Sequence, residues 1–122
     1  MLDTNFLLTM IRYKIHALDE IRTQFPASFF VLSGVLGEMN ALGKHDKKIR
    51  TEVAIAKQII NQNNVKIIES TIENVDNELI ELSKEYIIAT NDKELRRKVK
   101  EKGGKTIFVR KLTLVDTSEI MD

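Results

Sequence analysis

Four carboxylates stand at positions in this 122-residue chain where chemistry could be done. Asp3 lies two residues into the apolar opening "MLDTNFLL", Glu38 in "GEMNAL", Asp76 in "VDNELIEL", and Asp92 at the end of "IIATND". A carboxylate stripped of water and left unpaired is costly, so Asp3 requires either donors that it caps or a positively charged partner. Each of the four also has an ordinary role open to it. Asp3 suits an Asx turn, Asp76 and Asp92 suit helix N-caps, and Glu38 suits a helix surface. What would turn them into a site is convergence, and that depends on the elements that carry them.

Short runs rich in β-branched and aromatic residues alternate with helical patterns. "ML", "FFVLS" (Phe29–Ser33), "VKIIE" (Val65–Glu69), "YIIAT" (Tyr86–Thr90) and "TIFVR" (Thr106–Arg110) read as strands, most of them buried on both faces because they show no clean alternation. Helices are expected over Arg12–Thr23, Val35–Leu42, Lys48–Asn61, Asp76–Lys84 and Lys93–Lys102, the last stopped by Gly103-Gly104. This alternation predicts an α/β fold over residues 1–122 as a single domain: a three-layer sandwich whose central parallel sheet of four to five strands is flanked by helices. Sites in such sheets form beyond the carboxyl ends of the strands. Asp3, Glu38, Asp76 and Asp92 each follow a different strand, so all four are expected at that one edge.

Composition narrows the chemistry. The chain has no Cys, which excludes disulfides and thiolate zinc sites and accords with a reducing cytoplasm. No apolar run approaches the roughly 18–20 residues of a membrane span, and no signal peptide is expected. Net charge is +1, but its distribution is uneven. "KELRRKVKEKGGK" (Lys93–Lys105) holds seven Lys or Arg against two Glu, and "GKHDKKIR" (Gly43–Arg50) forms a second basic cluster. Either could be a solvated face or a surface for phosphates. Phe29, Phe30 and Phe108 are expected in the core. His16, on a helix, and His45, in a polar loop, make no zinc pattern.

"LDTNFLL", the Glu-bearing "GEMNAL" helix, "VDNELIELSKE" and "IIATNDKELRRKVKEKGGKTIFVR", in this order, resemble a PIN domain over essentially the whole chain. The chain most resembles the branch that includes archaeal and eukaryotic ribosomal-RNA-processing nucleases. The resemblance implies a cytoplasmic endoribonuclease that hydrolyses RNA phosphodiesters with Mg²⁺ or Mn²⁺, hard cations suited to carboxylate oxygens. It implies Asp3, Glu38, Asp76 and Asp92 as catalytic metal ligands, with Thr4, Asn5, Thr90 and Asn91 orienting them. Lys93, Arg96 and Arg97, and Lys44, Lys47 and Lys48, become candidate RNA contacts. A homodimer face on Arg12–Thr23 and a ribosome-assembly partner are further implied candidates. One departure stands out: relatives often carry an Asp pair where this chain has Asp76-Asn77, so Asn77 would ligate only through a neutral oxygen, or Glu73 or Glu78 would reach in.

Two alternatives follow from the same residues. Asn77 favours a catalytically weakened module that binds RNA or an assembly partner, and toxin nucleases of toxin–antitoxin pairs share the acidic set. A phosphate-receiving regulator domain would need an acidic pair near the start and a phosphoacceptor Asp after the third strand, and neither is present.

Overall fold

The computed structural model describes residues 1–24, 26–110 and 114–120. Its elements run α1 (Thr4–Arg12), α2 (Ala17–Gln24), β1 (Phe30–Leu32), α3 (Ser33–Gly43), α4 (Lys47–Gln62), β2 (Lys66–Ile68), α5 (Val75–Leu82), β3 (Ile88–Ala89), α6 (Lys93–Glu101), β4 (Thr106–Arg110) and β5 (Leu114–Asp116).

The expected parallel sheet is assembled from smaller pieces. β1 pairs with β2 and β3 with β4, both in parallel. Leu2 stands between the two pairs, bridged in parallel to Val31 on one side and Ala89 on the other. Its amide donates to the Phe30 carbonyl at 2.8 Å, while the Asp3 amide donates to the Ala89 carbonyl at 3.0 Å. The opening residues thus take the central place without forming a strand of their own. β5 joins the far edge antiparallel to β4, with Val109 opposite Val115. The sequence pattern gives no sign of this strand. A single four- or five-stranded parallel sheet is therefore replaced by two parallel pairs, one bridging residue and an antiparallel edge. The expectation that β2 is buried on both faces also fails, because Lys66 and Ile67 are exposed.

The core packs Leu2, Phe6, Leu7, Val31, Leu32, Val35, Met39, Leu79, Ile88, Leu95 and Val99 between sheet and helices. The helix expected over Arg12–Thr23 is broken. α1, which has no counterpart among the expected helices, ends at Arg12 with Tyr13 as its C-cap, Lys14 takes φ 54°, and α2 begins only at Ala17. The break is a Schellman stop: the Ile15 amide donates to Met10 O at 2.8 Å and the Lys14 amide to Ile11 O at 3.3 Å. The same arrangement ends α4 at Asn64 (φ 53°) and α6 at Gly103 (φ 81°). Gly104 is needed for a different reason. A Cβ there would lie 2.8 Å from both the Ser83 and Val99 side chains.

Candidate active site

Asp3 is 4% exposed and holds two donors. Its Oδ1 accepts the Thr4 amide at 2.8 Å, which starts α1, and its Oδ2 accepts the Thr90 hydroxyl at 2.8 Å. Burial pushes the Asp3 carboxyl up to about 6. The hydrogen bonds from Thr90 and Thr4 oppose that rise, and the charges of Asp76 and Glu38 add to it. Of the two partners sought in the sequence, Asp3 has the donors; among the described residues no cation pairs with it, and the charges acting on it are like ones.

The residues after β3 form a polar lattice beneath Asp3. Thr90 is fully buried, and its single hydroxyl proton goes to Asp3 Oδ2, nearer than Asn5 Oδ1 at 3.1 Å. Thr90 Oγ1 in turn accepts the Asp92 amide at 3.2 Å. Asn5 Oδ1 accepts the Asn91 amide at 2.9 Å, and Asn91 Oδ1 accepts the Val109 amide of β4 at 2.9 Å. Asp92 caps α6, its Oδ1 accepting the amides of Glu94 (2.9 Å) and Leu95 (3.1 Å). Asp92 therefore has the capping role open to it in the sequence, and that role uses one of its two oxygens.

Glu38, one turn into α3, accepts the Thr4 hydroxyl at 2.7 Å. Thr4 thus links the first two carboxylates through its hydroxyl and amide. Asp76 lies in the first turn of α5 but is not its cap. Asn74 has that role, its Oδ1 accepting the Asn77 amide at 2.9 Å. The Asp76 side chain is left exposed, and its carboxyl is raised by partial burial and by the charge of Asp92, with Lys98 opposing. The Asn77 side chain is likewise exposed.

Asp3 thus senses Asp76 and Glu38, and Asp76 senses Asp92, so all four belong to one electrostatic cluster. Among the described residues, no group of three acidic or histidine side chains is already closed around one point. The donor set is all oxygen and suits a hard divalent cation in kind; holding one requires the exposed carboxylates to turn inward.

Glu78, a candidate to reach the cluster, is instead 4% exposed and committed elsewhere. Its Oε2 accepts the Thr71 amide at 2.8 Å and the Thr71 hydroxyl at 3.2 Å, and such bonds hold its carboxyl below the usual range despite burial. That loop is fastened in turn to the start of α3. The Gly34 amide donates to Ser70 Oγ, and the Ser70 amide donates to Ser33 Oγ. Sequence reasoning missed Ser33, Ser70 and Asn74; only the Asn74-x-x-Asn77 cap spacing offered a signal.

The basic segments divide. Arg96 lies 3.4 Å above the Phe108 ring and 3.7 Å from Glu119, with its side chain 19% exposed. Phe108 is accordingly half-buried beneath a cation. Lys100 pairs with Glu119 at 2.9 Å, and Arg97 pairs with Glu94 and Glu101. Lys93 is exposed directly after Asp92. Lys44, Lys47 and Lys48 are exposed around the α3–α4 junction, and among the described residues no ion pair joins them to the acidic cluster. His16 is exposed in the break before α2 rather than on a helix.

With this geometry in place, comparison with known proteins gives a consistent result. Residues 1–112 match the family described as a PIN-like domain. A protein named ribonuclease VapC4, from Methanocaldococcus jannaschii, is 32% identical over 114 residues, covering 88% of this chain and 87% of its own.

Proposed function

The chain belongs to the PIN-like domain family, and from that premise we propose that it is a metal-dependent endoribonuclease that hydrolyses RNA phosphodiester bonds. What supports this reading, beside the family match, is the buried Asp3, held by Thr4 and Thr90 and raised in part by the charges of Asp76 and Glu38, with the charge of Asp92 acting in turn on Asp76. These four residues would hold Mg²⁺ or Mn²⁺, with Asn77 beside them as a neutral donor. When bound, such an ion supplies charge neutralisation at the phosphate and acidifies a water. The chain's own share is positioning. Thr90, Asn5 and Asn91 fix Asp3 and the start of α6, and Thr4 ties Asp3 to Glu38. Lys93, exposed beside Asp92, is the α6 cation best placed for RNA phosphate.

Ribosomal-RNA processing or RNA turnover is the proposed setting, in the cytoplasm; a toxin role is the alternative that the VapC4 name supports. A second reading, a weakened RNA-binding module, draws on Asn77 and on the carboxylates' not closing around one point. Cleavage of a single-stranded RNA under Mn²⁺ titration decides between them. Nuclease function predicts cutting that EDTA stops and that Asp3→Asn or Asp92→Asn reduces at least tenfold, with Asn77→Asp strengthening the response to Mn²⁺. Retained RNA binding with no cutting by wild type, alongside cutting by Asn77→Asp, supports the weakened module. Mapping the cut sites on total RNA separates ribosomal-RNA processing from general turnover.

A further inference from the structure

The cations of this chain are not distributed as they are paired. On α6, Arg96, Arg97, Lys98 and Lys100 all face a Glu. Lys44, Arg50, Lys57 and Lys66 are exposed, and among the described residues none of the four has an ion pair. They line two adjoining concavities that share Asn40 and Lys57 and together form one groove along α3, α4 and β2. No carboxylate lines either part.

The larger part, about 670 Å³, is not simply ionic. Leu36, Ile60, Val65 and Ile67 also line it, and Ile67 is 56% exposed, the most exposed large apolar residue among the described residues. Ile67 also lies on a free sheet edge. β2 pairs only with β1 among the described residues, and the Lys66 amide donates to Phe29 O at 2.9 Å. With Val31 opposite Ile67, the parallel ladder uses the backbone of Lys66 and Ile68. The N–H and C=O of Ile67 therefore point out of the sheet toward the groove. An apolar side chain, an unused donor–acceptor pair on a strand edge and four unpaired cations lie within one depression.

We infer that this groove docks an extended, acidic segment of a partner protein, which adds a strand beside β2. Its backbone would pair with Ile67, alternate apolar side chains would cover Ile67 and Leu36, and its carboxylates would meet Lys57 and Lys66. Charge selects this occupant over a second copy of the chain, since two such grooves face to face would set cations against cations. The apolar lining and the open strand edge select it over RNA, which uses the cations but neither of those features. The inference does not depend on the nuclease reading, because the groove shares no residue with the acidic cluster.

Peptides selected from a random display library on the intact chain, then synthesised, test it. The expected winners alternate Asp or Glu with apolar residues. They bind Lys57→Glu/Lys66→Glu and Ile67→Lys at least tenfold more weakly, bind Asp3→Asn as they bind wild type, and slow amide hydrogen exchange at Ile67. Melting of the variants within a few degrees of wild type shows that the fold is intact. Winners without acidic residues, winners insensitive to both groove variants, or unchanged exchange at Ile67 would each overturn the inference. So would a short single-stranded RNA that displaces the peptides and loses its own binding in Lys57→Glu/Lys66→Glu, since the groove would then be a phosphate track.

Discussion

At the scale of single residues, Asp3 shows how one carboxylate serves a helix and a charge cluster together. Its pKa of about 6 against an ordinary 3.8 means that the folded protein holds a proton the unfolded chain releases. The sign follows directly. The contribution is fully present below about pH 4, declines as pH rises, and is lost above about pH 6, with a total of about 3 kcal/mol. In EDTA, wild type should therefore lose stability between pH 4 and 6.5 as followed by urea midpoints, and Asp3→Asn should flatten that decline. The substitution is tolerable because the lattice can reverse. The new amide can donate to Thr90 Oγ1, whose proton then turns to Asn5 Oδ1, already 3.1 Å away. Millimolar Mn²⁺ at about 100-fold above its dissociation constant should stabilise wild type by about 2.7 kcal/mol, and Asp3→Asn should lose most of that gain. Equal destabilisation of Asp3→Asn with EDTA and with Mn²⁺ would mean that the residue serves only the fold. Arg96 is the opposite case, a residue whose charge suggested RNA and whose surroundings hold it in the fold. Truncating it uncovers the Phe108 ring and leaves Glu119 with one cation fewer. Arg96→Ala should cost about 1–3 kcal/mol by denaturant midpoint, and Arg97→Ala, on the exposed face, under about 1 kcal/mol.

At the scale of elements, three helices stop in the same way with three different residues, and two of the stops, after α4 and after α6, were legible beforehand. Gly103 and Asn64 are residue types that enter the left-handed region readily, whereas Lys14 adopts it without such a preference. Lys14 therefore conceals the break before α2, so the helix is expected to start at Arg12, and α1 over Thr4–Arg12 goes unread. The same position offers a gain. Lys14 is exposed, and Lys14→Gly should stabilise the chain by about 0.5–1 kcal/mol in thermal melts, whereas Lys14→Val should destabilise it. The four carboxylates read as converging because each follows a different expected strand; Thr4 links Asp3 to Glu38 and Thr90 links Asp3 to the Asp92 backbone, whereas Asp76 enters only through its charge. What could not be read was partner choice. Nothing in "KELRRKVKEKGGK" tells that Glu119, from the turn after β5, takes two of its cations. Nor does "VKIIE" tell that it lies at an open edge, since an apolar run looks the same in the middle of a sheet and at its margin.

At the scale of the whole molecule, the sheet is two parallel pairs joined by the first few residues. Phe30 and Lys66 meet across 36 positions and Ile88 and Thr106 across 18, whereas Leu2 must find Val31 and Ala89, the second of them 87 positions away. Pairings between distant residues carry the larger entropic cost of closure and form late. Leu2 and Val31 are only 29 positions apart, so the chain start is expected to order with the β1–β2 half, and its pairing with Ala89 joins the two halves at the end. Leu2→Ala should act mainly on the unfolding limb of a chevron plot, accelerating escape from the native state while leaving the folding rate nearly unchanged. The kinetics bear on when the acidic cluster exists at all. Asp3 follows Leu2 directly, so it reaches Thr90 only with that last closure, whereas Thr4 and Glu38, 34 positions apart, meet within the first half. A chain still being made, or one opened at this seam, has its halves but not its assembled carboxylates. Hydrolytic capacity would then be acquired in a single late step, and a partly folded copy would be harmless to the RNA around it.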